Sequence, residues 1–206
     1  MTAGDVDSVD SRVGGLRSVA MVLADHGWPV VRGTYLDGAG WRGRPGWAGL
    51  VPVDEDWSTA WTVDVGQVAE WWSAVPYNVL VVCGEGVDCL EIPGRFGARM
   101  LPALAAADLF PPAMLTPSGG LVLFVRTDHR AVGLVSATLR GLGTWTAVPP
   151  TGQHGELGRI GYQWLPGMSP DRLGWRLPDL EAVSEVIITT ATTAAATGSV
   201  ARGAGL

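Results

Sequence analysis

The sequence predicts one α+β domain. Three observations carry this reading. Helical periodicity brackets the chain near both ends, short apolar runs punctuated by glycine turns fill its middle, and no strict strand–helix–strand rhythm joins them. At 206 residues one domain is the default, and 47% hydrophobic with 17% charged residues is enough apolar content for a packed core. A disordered chain would need few apolar residues and a high net charge. The expected organisation is an acidic flexible N-terminus over 1–10, a single domain over 11–197 and a flexible tail over 198–206.

The elements follow in order. Residues 1–10 hold Asp5, Asp7 and Asp10 with no basic residue, which is unlike a secretory leader. Val13, Leu16, Ala20 and Leu23 recur at helical spacing, so a helix is expected from about Arg12 to His26, stopped by Gly27. Pro29-Val30-Val31 opens a strand. Between Gly33 and Thr62 periodicity dissolves into Gly, Pro and the tryptophans Trp41, Trp47, Trp57 and Trp61. A segment of that bulk is expected to pack down on the core. Asp64 caps the next helix, with Gln67 as the capping-box partner, and Pro76 ends it. Asn78–Cys83 reads as a buried strand, Gly84-Glu85-Gly86 as a turn and Val87–Ile92 as a second strand. A helix over about Arg95–Ala107 follows, then strands at Leu121–Val125, Thr144–Val148 and Tyr162–Leu165. Residues 130–139 suit helix or strand, with helix favoured. A final amphipathic helix is expected over about Asp179–Thr197.

Charge and residue usage exclude several functions. All fourteen basic residues are Arg and the formal net charge is -6. The absence of Lys removes Schiff-base chemistry, a Walker-type lysine and a Ser-Lys dyad. An acidic chain also lacks the bulk phosphate attraction that dominates nucleic-acid affinity, leaving local Arg positions to supply it. Cys83 and Cys89 are too few for a thiolate zinc site and read as buried free thiols. The longest uncharged stretches, 109–125 and 186–201, are broken by prolines or carry threonines, so neither offers the ~20 apolar residues of a membrane span. A cytoplasmic protein without a membrane partner is expected.

Three strings bear on chemistry. Thr116-Pro117-Ser118-Gly119-Gly120 precedes an apolar strand, and successive N–H groups of such a turn can cradle a phosphate. Arg140 stands before a Gly-containing entry to the next strand, where its planar fork can clamp a phosphate or carboxylate. Asp88 and Glu91 are three apart on one strand and therefore point to opposite faces, so they do not share an ion. Of the histidines, His26 sits at a helix end, His129 in a charged turn and His154 in a Gly-rich stretch. No metal-ligand spacing joins them, and no G-x-S-x-G elbow supports a triad of Ser118 with His129 or His154.

Taken in order, these strings resemble the bifunctional DNA primase/polymerase N-terminal family, the Prim-Pol domain of archaeo-eukaryotic-type primases. The resemblance runs from about Leu16 to Trp164. It comprises the helix ending Gly27-Trp28-Pro29-Val30, the Arg44-Pro45…Trp47 segment, and Trp71-Trp72-Ser73-Ala74-Val75-Pro76-Tyr77-Asn78. It continues through the 87–93 strand, the Ser118-Gly119-Gly120 turn, Arg140-Gly141…Pro149-Pro150-Thr151 and Tyr162-Gln163-Trp164. The resemblance implies a mostly antiparallel central sheet flanked by helices. It also implies nucleotidyl transfer with Mg²⁺ or Mn²⁺ held by an Asp-x-Asp pair and a third aspartate.

This chain departs from the family pattern at those positions. The matching residues are Glu91, Pro93 and Thr138, and a triphosphate-holding histidine is matched by Val122. The expectation is a degenerate, stand-alone, actinobacterial-type member. Its catalytic carboxylate would be reduced to Glu91, and Ser118, Gly119, Gly120 and Arg140 would remain as phosphate contacts for a nucleotide or nucleic acid. Two alternatives accompany it. One is residual nucleotidyl transfer using Glu91 with Asp88 or Asp128; the other is a protein-interaction domain presenting the Trp-rich 41–61 segment.

Overall fold

The computed structural model describes residues 3–38, 40–127, 134, 136–155 and 158–203. Helix α1 spans Ala3–Asp25 and is followed by β1 (Val30–Gly33) and a short hairpin of β2 (Tyr35–Asp37) and β3 (Gly40–Arg42). Next come α2 (Trp57–Ala60), α3 (Val65–Trp71), β4 (Asn78–Cys83), β5 (Val87–Ile92) and α4 (Gly94–Ala106). The chain continues through β6 (Ala113–Leu115), β7 (Leu121–Arg126), β8 (Thr138–Arg140) and β9 (Thr144–Ala147). A hairpin of β10 (Gly152–Gly155) and β11 (Gly158–Gly161), then β12 (Gln163–Trp164) and α5 (Leu180–Gly203), complete it.

Two antiparallel sheets organise the molecule: a three-stranded one ordered β1-β4-β9 and a five-stranded one ordered β12-β6-β7-β5-β8. Consecutive strands β4 and β5 belong to different sheets, as do β8 and β9. Alternation along each strand divides the core. Val79, Val81 and Cys83 of β4 join Cys89, Val122 and Phe124 of the larger sheet, covered by Leu16, Ala20 and Leu23 of α1 and by Val68 of α3 with Trp72 after it. Leu90, Ile92, Leu121, Leu123 and Val125 face the other way, onto Met100 and Leu104 of α4 and Leu180, Val183 and Ile187 of α5. The remaining face of the small sheet, Val31, Leu80, Val82 and Ala147, lies under Leu50, Trp57 and Trp61.

Several expectations match at the residue level. β4 and β5 have the expected limits, and Asp64 Oδ1 accepts from the Gln67 N–H at 2.9 Å. Both cysteines are free and buried. Others differ. α1 begins at Ala3 rather than near Arg12, and the acidic sequence of that stretch suits the positive end of a helix dipole. α5 likewise runs on to Gly203, past the expected end at Thr197, since no proline follows to stop it. Periodicity favours helix over 130–139, but the described end of that segment is strand β8, because residues 138–140 complete the edge of β5. Positions 128–133 and 135 lie outside the described residues. The Trp-rich segment does pack down through Trp57 and Trp61, yet Trp47 stays 53% exposed. Strands β2, β3 and β6 carry no periodic signal, being three residues each.

Candidate functional site

The register of the larger sheet sets Met114, Val122, Glu91 and Thr138 in one row across β6, β7, β5 and β8. Directly opposed residues in antiparallel pairs share a face, about 4.5–5.5 Å apart at Cβ. The row runs from buried Met114 and Val122 to partly exposed Glu91 and exposed Thr138. It continues the face that Cys89 and Phe124 pack into the core. Glu91 is thus the first position where that face leaves the apolar interior.

Arg140, opposite Cys89 in the register, reaches back to Glu91. Its Nε and Nη2 both donate to Glu91 Oε2, at 3.1 and 2.7 Å. Arg140 Nη1 and Glu91 Oε1 carry no such bond among the described residues. The carboxylate holds the guanidinium pKa above its ordinary value. Beneath it, contact with the Cys83 thiol, followed by burial, pushes the Cys89 thiol well above its usual range.

Two cavities flank this ion pair. One, of about 310 Å³, opens between the sheets and is lined by Trp57, Trp145 and Tyr162 with the hydroxyl-bearing Thr116, Thr144 and Thr146. The other, of about 430 Å³, lies toward the start of α4 and is lined by Pro93, Gly94, Ser118, Gly120 and Thr138. Glu91 and Arg140 line both. The fold therefore gathers the sequence-expected Glu91, Ser118, Gly120 and Arg140 around one cleft.

The Ser-Gly-Gly turn is built differently from the expectation of a backbone cradle. The Gly119 N–H donates to Thr116 O at 2.9 Å and the Gly120 N–H to Thr116 Oγ1 at 2.9 Å. Both are consumed within the turn, which leaves Ser118 Oγ, 2.9 Å from Thr116 Oγ1, as its polar side chain at the cavity. Gly119 is shaped by its own conformation (φ 79°), and a Cβ on Gly94 would fall 2.5 Å from Gly119 O. The two glycines thus let the turn sit against the start of α4.

Asp88 points away from Glu91, as alternation requires; it is buried and accepts from the Gly84 N–H at 2.7 Å. Asp128 and His129 lie outside the described residues. Among the described residues, no cluster of three His, Cys, Asp or Glu gathers anywhere. A pair of divalent ions needs converging carboxylates. Glu91 bonded to Arg140, Pro93 without a side-chain donor and the neutral hydroxyl of Thr138 do not make that set.

Sequence reasoning missed the cleft walls: Trp145, Thr144, Thr146 and the place of Tyr162 in the lining of the smaller cavity. The alternation of Thr144 and Thr146 on β9 was the available signal, since it places two hydroxyls on one face of a strand otherwise bound for the core.

A family model of the bifunctional DNA primase/polymerase N-terminal domain (Prim-Pol) matches residues 20–178. Comparison with curated proteins finds no match. No helix among the described residues is long and apolar enough to cross a membrane.

Proposed function

Since the chain belongs to the Prim-Pol family, we propose that it is a family member that binds a phosphate-bearing ligand, a nucleotide or nucleic acid, without joining phosphodiester bonds. One observation carries this reading. The cross-strand row of Met114, Val122, Glu91 and Thr138 holds a single carboxylate, and that carboxylate is bonded to Arg140. Phosphoryl transfer relies on metal ions to offset charge on the transferring group, and this donor set does not fit them. Among the described residues, Arg140 is then the cation that lines the cleft. Its fixed positive charge and the Ser118 hydroxyl, presented by the turn that Gly119 and Gly120 shape, supply phosphate contacts that require no metal. Trp57 and Tyr162 offer aromatic surface beside them for a base. The protein would act in the cytoplasm.

Titration of the full chain with dATP, with and without Mn²⁺, tests this. The expected result is binding unaffected by Mn²⁺ and no primer extension with Mn²⁺ and the four dNTPs. Extension of the primer would overturn the reading and favour residual nucleotidyl transfer; absence of any binding would leave a vestigial cleft.

A second reading has its own observation. Trp47 is 53% exposed, with the Arg44 guanidinium 4.8 Å from its ring centroid. Trp is among the residues most enriched where proteins bind one another, so this corner of the 41–61 segment, with Trp47 exposed over a largely covered Arg44, is where a protein partner would be sought first.

A further inference from the structure

We propose that Glu91 is an intramolecular competitor for Arg140, so that the ion pair is an autoinhibitory bar across the cleft which an incoming phosphate must open. This rests on the reading of Arg140 as the phosphate receptor.

The two cavities share two lining residues, Glu91 and Arg140. The pair therefore borders both a chamber walled by aromatic rings and one walled by the Ser118 turn. In the proposed open state, withdrawal of either side chain would let the chambers of about 310 Å³ and about 430 Å³ communicate. A ligand with both a ring and a phosphate chain needs that continuity. Either chamber alone is at the small end of ligand pockets, which run from roughly 300 to 1,000 Å³.

The chemistry of the pair points the same way. A guanidinium edge is a fork that holds one planar or tetrahedral anion at a time. Glu91 Oε2 takes both Nε and Nη2, the edge a phosphate would use. Among the described residues no other Arg lines either cavity, and the chain as a whole carries a net charge of -6. With Arg140 neutralised by Glu91, the resting cleft has no local positive excess to draw an anion in. The bar is also weak enough to open. The two side chains are 43% and 36% exposed, and ion pairs so hydrated contribute little to stability. In this fold the surviving carboxylate at a family metal position works against phosphate binding rather than for it.

The test is calorimetric titration of the full chain, Glu91→Gln and Arg140→Ala with inorganic tripolyphosphate, with dATP and with deoxyadenosine. The Gln variant keeps the shape of Glu91 and removes its charge. It is expected to bind tripolyphosphate and dATP about five-fold more tightly than the parent, the scale of one partly exposed ion pair. Deoxyadenosine affinity should not change, and Arg140→Ala should lose tripolyphosphate. Glu91→Ala is expected to shift affinity in the same direction, and thermal melts confirm that each variant is folded. If the parent binds tripolyphosphate and Glu91→Gln binds it equally or less well, the competitor role is wrong while Arg140 remains a receptor. If deoxyadenosine tightens as much as tripolyphosphate, the bar is steric and charge competition is wrong. If neither parent nor Glu91→Gln binds any probe, both this inference and the reading beneath it fall. Binding by Glu91→Gln alone would mean a bar closed completely in the parent, and would support the inference.

Discussion

Thr138 stands directly opposite Glu91 where β8 closes onto β5. The backbone thus sets these two side chains on one face of the sheet, and of the two only Glu91 is a carboxylate. That pairing is set by strand register, which the apolar residues on both faces of β5 enforce.

The double substitution Pro93→Asp and Thr138→Asp should therefore create Mn²⁺ affinity. The carboxylate introduced on β8 would face Glu91 across the ladder, within span of metal–oxygen bonds of about 2.0–2.6 Å. The one introduced before α4 would also supply the side-chain cap that Pro93 lacks, so the variant is expected to fold. Electron paramagnetic resonance titration of Mn²⁺ checks this; a variant no better than the parent would show that the row does not converge as the register implies.

Arg140→Ala should abolish phosphate binding yet leave stability within about 1 kcal/mol of the parent, because its ion pair with Glu91 is partly exposed. Denaturant unfolding alongside a tripolyphosphate titration separates these effects. A large loss of stability would mean that Arg140 is a structural residue first.

Gly84→Ala should cost about 2–4 kcal/mol, from a backbone conformation unfavourable to L-residues together with a steric clash. Gly84 has φ +96°, and a Cβ there would fall 2.5 Å from the Leu142 Cα, a backbone atom that cannot swing aside. Thermal or chemical denaturation of the variant measures it directly.

The Cys89 thiol predicts an alkaline limit. Its pKa is raised in the folded protein above the ordinary 9.0, first by the Cys83 contact and then by burial. The folded state therefore keeps this proton after the unfolded chain has released it. The contribution is fully present below about pH 9 and is lost as pH rises from there toward the folded pKa. Unfolding free energies measured between pH 7 and 10 should fall over the last unit, and Cys89→Ala should flatten that fall. Neither thiol should react with an aromatic disulfide reagent until the protein unfolds.

Trp47→Ala should change stability by no more than about 1 kcal/mol, since it removes an exposed ring and one cation–π contact. In contrast Trp72, fully buried with its Nε1–H donated to Tyr77 O at 2.8 Å, should cost about 3–5 kcal/mol when truncated to Ala. Comparing the two melts distinguishes a surface tryptophan from a core one.

Strand β4 was legible as a continuous apolar run ending at a glycine turn, β5 as the mostly apolar run between that turn and Pro93, and α3 because Asp64 and Gln67 form a local cap. Strand β8 was not. Its three residues become a strand through the partner at Glu91–Cys89, which is far away in sequence. The site divided along the same line. Glu91, Ser118 and Arg140 are found through motif order, and their meeting in one cleft follows from the sheet. The Glu91–Arg140 bond itself has no sequence signal, since alternation on one strand says nothing about which cation the next strand will offer. The expected N–H cradle fails for a local reason, because Thr116 Oγ1 is an acceptor that takes the Gly120 N–H first.

The place where the chain crosses between sheets bears on how the molecule comes to exist at all. The β4–β5 crossing at Gly84 packs against the β8–β9 crossing at Leu142, and β8 and β9 supply the outer strand of one sheet and of the other. A polypeptide emerging from the ribosome cannot finish either sheet until residues 138–147 are available. The central strands β4 and β5 must wait with one hydrogen-bonding edge unsatisfied. Such long-range closure is slow compared with hairpin formation and leaves strand edges open to other chains meanwhile. Folding of this protein should thus be governed by one late event that closes the open edges of β4 and β5 together, with β12 added to the far edge of the larger sheet afterwards, and the ion pair of the cleft is assembled in that closing step.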